Sequence, residues 1–231
     1  MSGLPSAEER ALSVTVRSGT VSAVLVTPTD PWALYVLAHG AGAGMRHEFL
    51  ERTAADLAGA GVATFRFQFP YMEEGKHRPD APAELLATVR AAVRAASSEL
   101  PALPVFAGGK SMGGRMTSQA QAAEPIPGVR GVVFLGFPLH APKRPSSARA
   151  AHLAGVSLPM LFVQGTRDDL ADLERMRAVC AELGRRATLH VVEGGDHSFR
   201  VLKRSGRGED AVREEIRDAV TAFMRGVLAA S

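Results

Sequence analysis

Residues 105–114, VFAGGKSMGG, restrict the possible folds of this chain more than any other stretch, because a short apolar run ends there in glycines and presents one serine. The core of the stretch, Gly109-Lys110-Ser111-Met112-Gly113, has the form G-x-S-x-G. A serine at the tip of a sharp strand-to-helix turn has a strained backbone. The residues two positions before and after it must lack side chains for the turn to close, and glycine meets this demand. The pattern predicts a strand, a turn at Ser111 and a helix whose free N–H groups favour negative charge near the hydroxyl. The pentapeptide alone also fits a glycine turn with an incidental serine, so its interpretation depends on the rest of the chain.

The size and composition of the chain indicate one globular domain over residues 1–231. With 231 residues, of which 46% are hydrophobic, the chain can bury one sizeable core. No apolar run is as long as a membrane span, and the start MSGLPSAEER is unlike a signal peptide, so we expect a cytoplasmic protein without a membrane partner. A net charge of only +3 and 6% aromatic residues argue against a nucleic-acid partner. The oligomeric state is left open.

Cysteine and histidine usage excludes two further kinds of chemistry. The single cysteine, Cys180, falls in an apolar series with helical spacing, which predicts a buried helix residue and not a nucleophile. No cysteine or histidine cluster has the spacing of metal ligands. We therefore expect no metal. No cofactor is expected either, and the expected partner is a small-molecule substrate.

Apolar runs and helical patterns alternate along the chain and predict an α/β fold. Residues 12–17 and 20–27 predict a hairpin about Ser18-Gly19, and residues 170–183 and 211–227 predict the last two helices. Buried strands are predicted at 32–38, 62–69, 105–108, 131–137, 160–164 and 188–192, with helices between most of them. This order indicates a mostly parallel, doubly wound sheet of about eight strands with an N-terminal antiparallel hairpin. Residues 138–157 are too few for a separate lid domain.

Three loops that follow predicted strands carry a serine, an acid and a histidine in that order. They hold Ser111, the pair Asp168 and Asp169, and His197, and ligands of such sheets bind at the carboxyl ends of the strands. A serine hydroxyl needs an imidazole to accept its proton, and the imidazole needs a carboxylate to fix its tautomer. Each residue also has a plainer interpretation. His197 could be a surface histidine, and either aspartate could cap a helix. Asp169 is better placed than Asp168 to cap a helix that begins at Leu170. Their agreement in type, order and position favours the catalytic interpretation.

The loop His39-Gly40-Ala41-Gly42, after another strand, meets the remaining need of acyl chemistry. Its glycines would let a backbone N–H approach a tetrahedral oxyanion alongside the N–H of Met112. A phosphate-binding loop is the alternative, but the glycine spacing is not G-x-G-x-x-G and no P-loop lysine follows. The loop is therefore predicted to form part of an oxyanion hole.

The blocks HGAGAG, FPYMEEG, GGKSMGGRM, GFPLHAP, GTRDD and GGDHSF resemble those of the α/β-hydrolase superfamily, most closely its small lidless members related to the dienelactone hydrolases. The resemblance covers nearly the whole chain and implies the α/β-hydrolase fold, with Ser111 as nucleophile, Asp168 as acid and His197 as base. It also implies Ala41 and Met112 as the oxyanion donors. Dienelactone hydrolases use a cysteine nucleophile where this chain has serine, so their substrate is not carried over.

The expected function is that of a serine hydrolase that forms an acyl-enzyme with small or flexible carboxylic esters or thioesters. The alternatives are an interaction or scaffold domain that keeps the fold without catalysis, and a peptidase or amidase that uses the same residues. Substrate contacts are expected at His39, Gly40, Tyr71 and His140, although His140 fits packing at a strand end equally well.

Overall fold

The computed structural model describes residues 7–230, in which one sheet of eight strands forms the centre of the molecule. The strands are β1 Glu8–Val16, β2 Gly19–Thr27, β3 Ala33–Ala38, β4 Val62–Phe67, β5 Val105–Lys110, β6 Val129–Leu135, β7 Met160–Gly165 and β8 Ala187–Val192. They lie in the order β1-β2-β4-β3-β5-β6-β7-β8. β1 pairs antiparallel with β2, and β2 with β4, whereas every pair from β4 to β8 is parallel. The predicted mostly parallel sheet with an antiparallel hairpin at its edge is confirmed.

Helices cover both faces of the sheet. Successive residues of a strand point to opposite faces, so each central strand packs against helices on both sides. The helices are α1 Glu48–Gly59, α2 Pro70–Glu73, α3 Pro82–Glu99, α4 Met112–Ala123, α5 Leu173–Leu183 and α6 Glu209–Ala229. Tyr35 and Leu37 of β3 belong to the apolar cluster that includes residues of α1 and α6, whereas Leu34 and Val36 belong to the cluster of α3 and α4. This two-sided burial explains why the central strands are nearly continuous apolar runs.

The strand predicted at 131–137 is Val129–Leu135, and the strand predicted at 62–69 ends at Phe67. The hairpin turn and the start of α5 also differ from the sequence prediction. The hairpin turns at Arg17-Ser18, and not at Ser18-Gly19, because Gly19 already pairs with Val16 as the first residue of β2. Helix α5 begins at Leu173 and not at Leu170, and the side chain of Asp172 caps it by accepting the N–H of Arg175 at 2.9 Å. The expectation that Asp169 caps this helix is wrong, since the chain makes a further turn before the helix starts.

The segment between β6 and β7 is short and packs on the sheet. Within the predicted loop 138–157 lies a 3-10 helix, Ala148–Gly155, whose Ala150 and Leu153 are buried against residues of β6 and β7. No lid domain occurs in residues 7–230, as expected. Among the described helices, none is both long and apolar enough to span a bilayer.

Cys180 lies buried on α5, as the sequence predicts. Its burial raises the pKa of the thiol to about 11. A thiol that stays protonated at neutral pH is a poor nucleophile, which fits a packing role.

Candidate active site

Ser111 forms the sharp turn between β5 and α4, and its backbone is strained. Its φ of 51° and ψ of −117° are values that residues with a side chain rarely adopt. Gly109 and Gly113 make this turn possible, because both pack against the end of β3 where a side chain would not fit. A Cβ atom at Gly109 would lie 2.2 Å from the carbonyl oxygen of Ala38, and one at Gly113 would lie 2.4 Å from that same oxygen. The G-x-S-x-G pattern therefore reflects close packing of the turn on the neighbouring strand.

The structure brings together Ser111, His197 and Asp168 from three separate loops. His197 Nε2 lies 2.9 Å from Ser111 Oγ, and His197 Nδ1 lies 2.8 Å from Asp168 Oδ2. The carboxylate holds the proton on Nδ1, which leaves Nε2 free to accept the serine proton. The Asp168 side chain is fully buried, whereas 22% of the His197 side chain is exposed. This is the arrangement that activates a serine hydroxyl as a nucleophile.

Asp168, and not Asp169, faces the imidazole. In addition to His197, the carboxylate of Asp168 accepts the side-chain N–H of Gln164 and, through Oδ1, the N–H of Leu170 at 2.8 Å. Asp169 is exposed, and its side chain makes no hydrogen bond or ion pair within residues 7–230. The sequence patterns do not reveal the contact of Gln164 with Asp168, because a glutamine inside an apolar strand carries no motif.

The loop that carries His197 is shaped by its neighbour Asp196. The Asp196 carboxylate accepts the N–H groups of Ser198 at 2.8 Å and of Arg200 at 2.9 Å. Phe199 is held at a φ of 63°, and its ring stacks on Phe49 of α1 with the centroids 5.8 Å apart. The sequence Asp-His-Ser thus supplies both the candidate base and the turn that presents its ring. The aspartate before the histidine is the sequence signal for such a turn, because Asp side chains accept main-chain N–H groups two residues further along.

The glycine loop after β3 lies beside Ser111, and its role as part of an oxyanion hole stays a prediction. A Cβ atom at Gly40 would lie 3.6 Å from the Cβ of Ser111. Across residues 7–230, no group accepts a hydrogen bond from the N–H of Ala41 or from that of Met112, the first residue of α4. Both N–H groups are therefore available to an acceptor on a substrate.

Both ring nitrogens of His39 form hydrogen bonds with the main chain of neighbouring loops. Nδ1 donates to the carbonyl of Gly40 at 2.8 Å, and Nε2 accepts the N–H of Phe69 at 3.0 Å. The side chain is fully buried, and burial lowers its pKa to about 4, which keeps the ring neutral. With both nitrogens occupied, His39 has no free polar atom for a substrate, and its expected substrate contact stays a prediction.

Tyr71 and His140 are also bound to the main chain of the site loops. The Tyr71 hydroxyl accepts the N–H of Gly42 at 3.4 Å, and burial raises the pKa of this phenol. His140 donates from Nδ1 to the carbonyl of Ala141 and accepts at Nε2 the N–H of Asp172, each at 2.9 Å. Both side chains are buried. Their predicted contacts with substrate stay predictions, and the observed contacts hold the loops in place.

A second serine and histidine pair lies away from this site. Ser118 Oγ, inside α4, is 2.8 Å from His152 Nε2 and also donates to the carbonyl of Arg115. Ser118 is fully buried, and no carboxylate in the described part of the chain contacts His152. Burial lowers the pKa of His152 to about 4. Without an acid partner or an exposed hydroxyl, this pair packs a helix and provides a natural comparison for Ser111.

The described side chains also contain no group of three His, Cys, Asp or Glu residues that could hold a metal ion.

Comparisons with known proteins agree with the fold of this chain. A family model described as an alpha/beta hydrolase domain matches residues 31–225. The structure is similar to a dienelactone hydrolase from Anabaena variabilis, with 21% identity, a TM-score of 0.78 and coverage of 95% of this chain and 98% of the other. It is also similar to a lidless α/β serine hydrolase from Xanthomonas campestris, with 19% identity, a TM-score of 0.69 and coverage of 91% and 94%. The esterase domain of a Rhodothermus marinus protein matches with 15% identity, a TM-score of 0.70 and coverage of 94% and 98%.

Proposed function

The chain belongs to the alpha/beta hydrolase domain family, and on this basis we propose that it is a serine hydrolase that forms an acyl-enzyme with small or flexible carboxylic esters or thioesters. The observation that carries the proposal is the continuous hydrogen-bonded series from Ser111 through His197 to the buried Asp168. A dienelactone hydrolase and an esterase domain among the similar structures make ester chemistry the natural choice.

In the first half of the reaction, His197 Nε2 takes the proton of Ser111 as Oγ attacks the carbonyl carbon of the ester. The tetrahedral oxyanion accepts the N–H groups of Ala41 and Met112, and one such donor contributes about 2.7–4 kcal/mol in the transition state. The imidazolium, stabilised by Asp168, then protonates the departing alcohol or thiol as its bond to the carbonyl carbon breaks. The products of this half are the acyl-serine ester and the free alcohol or thiol.

In the second half, a water molecule gives its proton to His197 and attacks the acyl-serine. The same two N–H groups hold the second oxyanion, and the imidazolium returns the proton to Ser111 Oγ as the acid leaves. The serine, the imidazole and the carboxylate are thereby restored. The proposed reaction requires no metal or cofactor.

The experiment that tests the proposal is labelling of the purified protein with a fluorophosphonate probe, followed by identification of the modified peptide. We expect the probe on Ser111 in the wild type and no labelling of Ser111→Ala. Ser118→Ala is the matched control, because Ser118 also contacts a histidine but lies buried without an acid partner, and it should label as the wild type does.

Rates with p-nitrophenyl esters, a thioester and a p-nitroanilide of the same acyl group then separate the alternatives. Faster turnover of the ester and thioester than of the anilide supports the proposal. An anilide turned over as fast as the ester would identify an amidase or peptidase. An absence of both labelling and turnover would favour the scaffold alternative.

A further inference from the structure

Lys110 immediately precedes the proposed nucleophile, and only 9% of its surface is exposed. Lysine is seldom buried to this extent unless its charge is paired. In the described part of the chain no carboxylate forms an ion pair with its ammonium, and Asp168 and Asp196 act on it only at longer range. The position of this cation therefore needs another physical explanation.

The contacts of the Lys110 ammonium connect it to the loop that carries the base. Nζ donates a hydrogen bond of 2.5 Å to the main-chain carbonyl of His197. It also lies 5.4 Å from the ring centroid of Phe199 and 5.8 Å from that of Phe49, within the range of a cation–π contact. A Cβ at Gly136 would lie 2.8 Å from Nζ, so the absence of a side chain there leaves room for the amine.

We propose that Lys110 is a positioning residue, which fixes the main chain of His197 so that its imidazole meets Ser111; this role rests on the proposed function. Lys110 and Ser111 are consecutive residues at the end of β5, whereas His197 lies on the loop after β8, three strands away in the sheet. The hydrogen bond from Lys110 Nζ to the His197 carbonyl links the strand before the proposed nucleophile directly to the loop of the proposed base. It acts on the carbonyl and leaves both ring nitrogens for Asp168 and Ser111.

The cost of burying this lysine distinguishes positioning from simple packing. Burial lowers the pKa of Lys110 to about 8, which means that its charged form is less favourable in the folded protein than in water. A methionine would fill a similar volume without a charge to desolvate. A residue that only filled this space would need no ammonium, whereas the hydrogen bond to the His197 carbonyl does need one.

The test compares Lys110→Met and Lys110→Arg with the wild type in kcat and KM for p-nitrophenyl acetate, in the rate of fluorophosphonate labelling, and in Tm. The methionine variant removes the donor and the charge, whereas the arginine variant keeps both. Lys203→Met, at an exposed lysine, is the matched control for the loss of one positive charge.

We expect Lys110→Met to lower kcat and the labelling rate about 30-fold, since a displacement of about 1 Å in a catalytic group costs on the order of 100-fold. KM should change by less than about twofold, and Tm should match or exceed that of the wild type. Lys110→Arg should recover at least about fivefold of the lost kcat, and Lys203→Met should keep the kcat of the wild type.

A Lys110→Met variant that labels and turns over as the wild type does would overturn the role of Lys110 and leave the proposed function standing. A variant that loses activity together with its fold or its Tm would also overturn it, because the proposal requires that stability is kept. Failure of the wild type to label at Ser111 would instead reject the proposed function, and the role of Lys110 with it.

Discussion

Gln164 donates its side-chain N–H to Asp168 Oδ2, the same carboxylate oxygen that receives Nδ1–H of His197. Gln164 is fully buried near the end of β7, and its Oε1 has no hydrogen-bond partner among the described residues. Among the described residues, the Gln164 side-chain amide therefore has only one hydrogen bond, from its nitrogen to the Asp168 carboxylate. Gln164 of β7 therefore contacts the carboxylate that the proposed function assigns as the partner of His197.

This contact predicts a catalytic effect of Gln164 without a large effect on binding. Gln164→Met keeps the approximate volume but removes one donor from Asp168, and a hydrogen bond to a charged group contributes about 1.5–3 kcal/mol. We expect kcat for p-nitrophenyl acetate to fall at least about tenfold with KM nearly unchanged. An unchanged kcat in a variant with a normal circular dichroism spectrum would contradict this.

The two adjacent aspartates should respond very differently to the same substitution. Asp168→Asn puts an amide beside Nδ1 and favours the wrong tautomer of His197, which lowers kcat on the order of 10⁴-fold in such triads. Asp169→Asn is the matched control, and because Asp169 is exposed we expect the activity of the wild type. Steady-state kinetics on both purified variants test the assignment, and a large loss in Asp169→Asn alone would reverse it.

The packing of the elbow on β3 predicts that Gly113→Ala destabilises the fold. Its new Cβ would lie 2.4 Å from the carbonyl oxygen of Ala38, and the backbone at both positions would have to move. We expect the free energy of unfolding in urea to fall by about 1–3 kcal/mol, the usual cost of overpacking a core.

Gly226→Ala, in α6, is the control for this glycine substitution, since nothing lies within 4 Å of its Cβ position. Alanine is the better helix former, and we expect stability to rise by about 0.5–1 kcal/mol. Equal effects at Gly113 and Gly226 would show that the close contact with Ala38 is unimportant.

The buried amine of Lys110 predicts how the stability gain of Lys110→Met depends on pH. The pKa of this lysine is about 8 in the folded protein and 10.5 as the ordinary value, so the unfolded chain binds the proton more tightly between these values. The lysine therefore destabilises the wild type fully below pH 8, and this penalty diminishes as the pH rises toward 10.5.

Urea unfolding of both proteins at pH 7, 8.5 and 10 measures this effect. The excess stability of Lys110→Met over the wild type should be largest at pH 7 and shrink with rising pH. Taking the difference between the two proteins cancels the titration of groups that they share, such as Cys180. A difference that is constant or that grows with pH would contradict the low pKa of the lysine.

The fold class and the chemical parts of the site follow from the amino-acid sequence. Alternation of apolar runs with helical patterns is a local property, and it is enough to predict a doubly wound sheet with an edge hairpin. The steric demand of a strand-to-helix turn is also local, so the G-x-S-x-G pattern is enough to place Ser111 at the tip of that turn. The alternation of strands and helices then indicates which loops share one edge of the sheet, and hence that Ser111, an aspartate and His197 meet.

The contacts among side chains within those loops depend on the tertiary structure. Asp168 and Asp169 are neighbours of one type, and the turn before α5, capped by Asp172, determines which carboxylate faces inward. The roles of Gln164, Lys110 and His39 depend on contacts with groups that are distant in sequence or hidden in the main chain, for example the 87-residue separation of Lys110 and His197. Such contacts follow from strand register and loop geometry, which no periodicity in the sequence encodes.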